Sequence, residues 1–228
     1  SLNHSAGKMK QKMKQQWDQV KRDVTDLYHS LSLKEINQAG NYRYYEKDGQ
    51  YYAYDAQRKQ WYGEAPRTSG GIEGYFPGFR DVYQKRGVFK ISGYYQHAAG
   101  WLFIPGFDII WNLYHESVWE PISDTPQTGP KKSLISQYAD NYANDLLAKK
   151  NVEGLQNEEA PTSQVKIARQ KRNALNQKYQ QSKEQLENQI PSGKAGDNPR
   201  KNLEKLNQDI TTFVKYKRAY DAVKELTQ

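Results

Sequence analysis

The chain has 228 residues, a formal charge of +8 from 34 lysines and arginines against 26 aspartates and glutamates, and no cysteine. That length suits one compact domain or a small domain with an appended helical part. The missing cysteine excludes disulfide frameworks, CxxC redox chemistry, thiolate zinc sites and cysteine nucleophiles.

Met9, Met13, Trp17, Val20, Val24, Leu27 and Leu31 recur at spacings of three and four, which predicts an N-terminal amphipathic helix ending near Gly40. Lys8, Lys10, Lys12 and Lys14 fall on both flanks of its apolar stripe and read as a solvated helix end. The period then becomes strand-like. Tyr42, Tyr44 and Glu46 lead into Lys47-Asp48-Gly49, Tyr52 and Tyr54 lead into Asp55 to Lys59, and Trp61-Tyr62 follow, predicting a three-stranded antiparallel aromatic meander over 42–63. Tyr51-Tyr52, Trp61 and Pro66 give the stretch a resemblance to WW domains, which implies a groove for a proline-rich peptide on Tyr52 and Trp61. Tyr42 stands where that family carries its first tryptophan, and Glu64 stands in the slot of its proline.

Residues 65–80 carry Ser69-Gly70-Gly71, Gly74 and Pro77-Gly78 and read as a loop, with Tyr75, Phe76 and Phe79 packing down as a lid. Val88 to Ile91 and Gly93 to Tyr95 suggest a further strand. From Pro105 onward, Phe107, Ile110, Trp111, Tyr114 and Val118 form one face of an expected buried central helix. After the prolines at 121, 126 and 130, Ser133 caps a helix to about Lys150, and the polar stretch Asn151 to Pro161 is expected to break it. Val165 to Ile190 and Leu203 to Val223 keep narrow apolar seams and predict a C-terminal antiparallel helical hairpin joined by Pro191 to Pro199. The expected fold is thus α+β and mainly α, with residues 1–130 forming an α+β core domain and residues 131–228 a helical region.

Motif chemistry is sparse. Gly193-Lys194-Ala195-Gly196 lacks phosphate-loop spacing and lies between helices, and HExxH and EF-hand patterns are absent, so no cofactor and no metal is expected. His97 and His115 bracket the aromatic segment, with Asp108 two helical turns before His115. Two imidazoles, one acting as base and one as acid, can cleave a phosphodiester through its own 2′-hydroxyl without a metal, which defines the enzymatic alternative, an exported toxin or effector of ribonuclease type. The ordinary alternative makes His97 a loop residue and His115 a half-buried helix residue. Glu116 with Glu120, and Glu64, Glu73 and Asp81 beside the glycine-rich loop, form no spaced constellation.

The remaining signal is positive charge interleaved with rings. Arg43, Lys47, Arg58 and Lys59 lie among the meander rings, Tyr44, Tyr52, Tyr54 and Trp61 included, and Arg80, Lys85, Arg86 and Lys90 lie near Tyr83 and Phe89. Cations neutralise phosphates and exposed rings stack on unpaired bases. The leading expectation is a non-enzymatic domain that holds an anionic macromolecule, either single-stranded nucleic acid or an acidic protein face. A structural subunit docking through the hairpin is the further alternative. No apolar run approaches the ~20 residues of a bilayer span, so transmembrane insertion is not expected. A soluble chain that starts at Ser1 instead of a methionine and has no cysteine is expected to be exported, processed or excised from a longer one.

Overall fold

The computed structural model of the protein describes residues 1–39, 41–48, 50–64 and 119–227. It is mainly helical α+β, with two compact units, Ser1–Leu31 together with Gly129–Gln228, and Ser32–Thr128. The first unit is not a consecutive stretch of chain, because the N-terminal helix packs with the C-terminal helices.

The helical unit contains α1 (Leu2–Leu31), α2 (Lys132–Asn157), α3 (Thr162–Glu187), a single 3₁₀ turn at Gly193–Gly196, and α4 (Asp197–Leu226). The first helix stops at Leu31, short of Gly40: its apolar spacing of three and four lapses there, and Lys34–Ala39 instead pairs as a strand with Tyr42–Lys47. The second helix passes Lys150 and ends at Asn157, inside the polar stretch Asn151 to Pro161 where the break was expected. Polarity alone does not end a helix; this one ends where Glu159 takes a left-handed φ of 54° ahead of Pro161.

The helices pair as hairpins, α2 with α3 and α1 with α4, while α2 also touches α1 and α4. Both main pairs are antiparallel. Tyr142 meets Tyr179 and Asp145 meets Arg172, so the second chain runs backwards along the first, and Trp17 on Phe213 with Asp23 near Lys205 gives the same sense for α1 and α4. One core binds all of this together: Leu27, Leu31, Ile135, Tyr138, Leu186, Leu206 and Ile210 are fully buried. Each aliphatic side chain removed from water contributes ~1.5–3 kcal/mol. Antiparallel pairing of α2 with α3 adds three tyrosines in mutual contact, Tyr138, Tyr142 and Tyr179, with ring centroids 4.8 to 6.1 Å apart.

The glycine-lysine-alanine-glycine stretch is a tight corner between α3 and α4. Arg200 Nη2 donates to the Pro191 carbonyl at 2.6 Å and Nη1 to the Gly193 carbonyl at 3.3 Å, closing the corner, and Gly193 has a φ of 73°. A Cβ on Gly196 would collide with the Pro191 carbonyl oxygen and the Arg200 guanidinium. Gly196→Ala is therefore expected to cost about 1–3 kcal/mol, as overpacking does, read as a lower midpoint in urea.

The other unit is a five-stranded antiparallel sheet in sequence order, β1 (Lys34–Ala39), β2 (Tyr42–Lys47), β3 (Gln50–Asp55), β4 (Gln60–Glu64) and β5 (Trp119–Ile122). Its middle three strands are the expected meander, flanked by two strands that the turn signals did not announce. Asp48 and Lys59 have positive φ, 46° and 53°, as tight turns demand. Buried Asp55 organises the second turn, its Oδ1 accepting from the backbone amides of Gln57 at 3.0 Å and Arg58 at 3.2 Å. The loop and lid at 65–80, the strand near 88–95 and the central helix from Pro105 lie outside the described residues.

Candidate recognition surface

Strand alternation and register decide what shares a face. Tyr44 opposes Ala53, which opposes Tyr62, whereas Arg43 opposes Tyr54, which opposes Trp61. Side chains point alternately to either side, so Tyr42, Tyr44, Ala53, Asp55 and Tyr62 lie on one face. Arg43, Tyr45, Lys47, Tyr52, Tyr54, Trp61, Gly63 and Ile122 lie on the other.

The Tyr44 face is its buried side. Tyr44 is 1% exposed, stacks on Tyr42 at 6.3 Å, and burial, followed by the neighbouring Tyr42, raises its phenol far above the ordinary range. Tyr44 is thus buried on the side away from Trp61. Arg58 is tied to the same side: it lies 3.8 Å from Asp55, and the Tyr62 hydroxyl, then Tyr42 and Asp55, favour its charged form.

The opposite face carries the rings expected to contact a partner. Trp61 packs on Tyr54 at 4.9 Å and on Tyr45 at 5.2 Å, both tilted, and the three rings are half-buried together with Tyr52. Such tilted pairs suit the ring quadrupole and add ~0.5–1.5 kcal/mol each beyond area burial. Gly63 sits opposite Tyr52, where a side chain would meet Ile122 in ordinary contact, so Ile122 fills the floor beside the tryptophan. Arg43 is exposed on this face. Lys47 is half-buried, its ammonium pKa lowered by burial, and its Nζ donates to the Gln127 carbonyl at 3.2 Å. Lys59 is exposed in the β3–β4 turn.

Of the residues proposed from sequence, the sheet therefore brings Tyr52, Tyr54 and Trp61 together and separates Tyr44 and Arg58 from them. Arg80, Lys85, Arg86, His97, Asp108 and His115 lie outside the described residues. Tyr45 was missed, although its position follows from its even spacing to Arg43 and Lys47 and from its register with Tyr52 across the Asp48 turn. Missed too was a carboxyl pair in the helical unit. Asp23 falls among Val20, Val24 and Leu27, and Asp209 between Leu206 and Ile210, so both sit on apolar seams.

Among the described residues, no group of three or more histidine, aspartate or glutamate side chains is placed to hold a metal, and no helix is long and apolar enough to cross a membrane. Compared with protein-family models, with curated proteins and with solved structures, the chain matches none of them, so its reading rests on its own chemistry.

Proposed function

We propose that the sheet unit is a non-enzymatic recognition surface for an anionic macromolecule, with single-stranded nucleic acid as the partner its chemistry suits best. The observation that carries this reading is the cluster of Tyr45, Tyr54 and Trp61 on the same face as exposed Arg43. Splayed bases need flat apolar surfaces beside a cation, and unlike an acidic peptide they use both. Duplex ends present few free base faces and make a poorer match.

Binding is tested by titrating fluorescently labelled oligonucleotides into the whole chain at several salt concentrations. A single strand is expected to bind more tightly than a duplex of equal length, with affinity falling steeply as salt rises. Trp61→Ala is expected to weaken single-strand binding by roughly 5- to 150-fold, the ~1–3 kcal/mol of one stacked base. Arg43→Gln should lower the salt slope by about 0.7, the share of one phosphate contact to a single strand. Equal affinity for single strand and duplex, with no response to Trp61→Ala, rules the reading out. Tight binding to polyglutamate with the same indifference to Trp61 assigns the surface to an acidic protein instead.

A further inference from the structure

Asp23 sits in the seam between α1 and α4 with only 1% of its surface exposed, just beneath the half-exposed Lys205 side chain. A carboxylate in that position needs donors for both oxygens. Its Oδ1 has them: Gln19 Nε2 donates at 3.0 Å, and Lys205 Nζ lies 3.7 Å away. The Gln19 amide cannot turn over, because its Oε1 already accepts from Arg22 Nε at 3.2 Å and Nη2 at 2.8 Å.

The other oxygen is different. Asp23 Oδ2 is buried without a donor, and so is Asp209 Oδ2 on the facing helix. Lys205 and Asp209 stand one turn apart on α4, the first reaching Asp23, while Gln16 Nε2 of α1 donates to the Asp209 backbone carbonyl at 3.0 Å. Two acceptor oxygens brought together across one seam repel unless a proton lies between them. One proton gives both what they lack.

We propose that Asp23 and Asp209 share a proton across the seam between the first and last helices, forming a clasp that closes in acidic surroundings and loosens near neutrality. Burial first, and then the hydrogen bond to Asp209, push Asp23 up to about 6 from 3.8, with the Gln19 hydrogen bond and Lys205 opposing. The charged groups that act on it are Asp209 and Lys205 of α4. From α2, Lys132 and Asp140 face α1 beside Lys21 and Val24.

The sign follows from where the proton is held. The folded chain binds it more tightly than the unfolded chain, so the contribution is complete below pH 3.8 and is lost as pH rises through about 6. The difference between those values corresponds to a folding equilibrium constant lower by roughly a hundredfold at neutrality than the closed clasp would give. Asp23→Asn places an amide where the proton was: its Oδ1 still accepts from Gln19, and its Nδ2 donates to Asp209 at any pH.

The test compares the stability of the full chain and of Asp23→Asn at about pH 4.5, 6 and 7.5, with the carboxyl carbon of Asp23 in the unmodified chain titrated by NMR. The gap between the two chains is expected to be smallest at the acidic end and to widen with pH, with the variant at least tenfold more stable in its equilibrium constant at the neutral end, and the Asp23 carbon to titrate near 6. A stability difference that does not vary with pH, or titration below about 4.5, overturns the clasp. So does stabilisation of the unmodified chain, but not the variant, by calcium or magnesium at neutrality, since the pair then holds a cation. If Asp23→Asn fails to fold, the NMR titration of the unmodified chain decides the question alone.

Discussion

Leu206→Ala is expected to lower the unfolding free energy by about 2–5 kcal/mol, the cost of lost transfer energy plus the cavity left behind. Leu206 is 0% exposed and lies in the layer shared by Leu27, Leu31, Ile135 and Ile210, where α4 meets both α1 and α2. Two neighbouring helices constrain the wall on either side, so the site collapses poorly and the loss falls toward the upper part of that range. Urea unfolding followed by far-ultraviolet circular dichroism measures it, with an unchanged slope showing that the denatured state is not altered. Ile167→Ala, at a side chain 66% exposed on α3, is the matched control and should stay within about 0.5 kcal/mol. A small effect at Leu206 would mean that the last helix does not bury its seam as described.

Arg172→Met is expected to cost about 2–4 kcal/mol at neutral pH. Asp145 is buried between α2 and α3, with Oδ1 accepting from Arg172 Nε at 3.1 Å and Oδ2 from Asn176 Nδ2 at 3.2 Å. Removing the guanidinium leaves a buried charge with one amide donor, which costs more than the pair itself is worth. Because a third of the Arg172 side chain is exposed, water already screens it and the loss falls in the lower half of the range. Adding Asp145→Asn should recover most of it, since a neutral amide can still meet Asn176. A double-mutant cycle with coupling of about 1–3 kcal/mol carries the claim, and simple additivity of the two changes contradicts it.

The fold was legible wherever one period persisted. Val20, Val24, Leu27 and Leu31 keep helical spacing to the residue at which α1 stops, and Asp48 and Lys59 lie in the turns that separate the meander strands. The flanking strands were illegible for a physical reason. Lys34–Ala39 and Trp119–Ile122 carry no alternation of their own and become strands by pairing with edges that β2 and β4 offer. The break after α2 falls inside the expected stretch Asn151 to Pro161, but past Lys150, because polarity alone does not end a helix whereas the left-handed Glu159 ahead of Pro161 does.

At the candidate surface, composition announced rings and cations but not sides. Tyr44 and Tyr54 look equivalent in the chain, yet strand parity sends the first into the interior and leaves the second against Trp61. Arg58 and Arg43 are equally basic, but Arg58 leans on Asp55 while Arg43 faces out beside the tryptophan.

By itself the sequence determined the local elements: the long helices, the hairpin turns, the aromatic character of the sheet, and the exclusion of cysteine-based chemistry, because each follows from residues within a few positions of one another. Only the tertiary structure decided that the last helix pairs with the first and that Asp23 meets Asp209. Those contacts join residues far apart in the chain, and what settles them is the matching of whole buried faces, which no local spacing encodes.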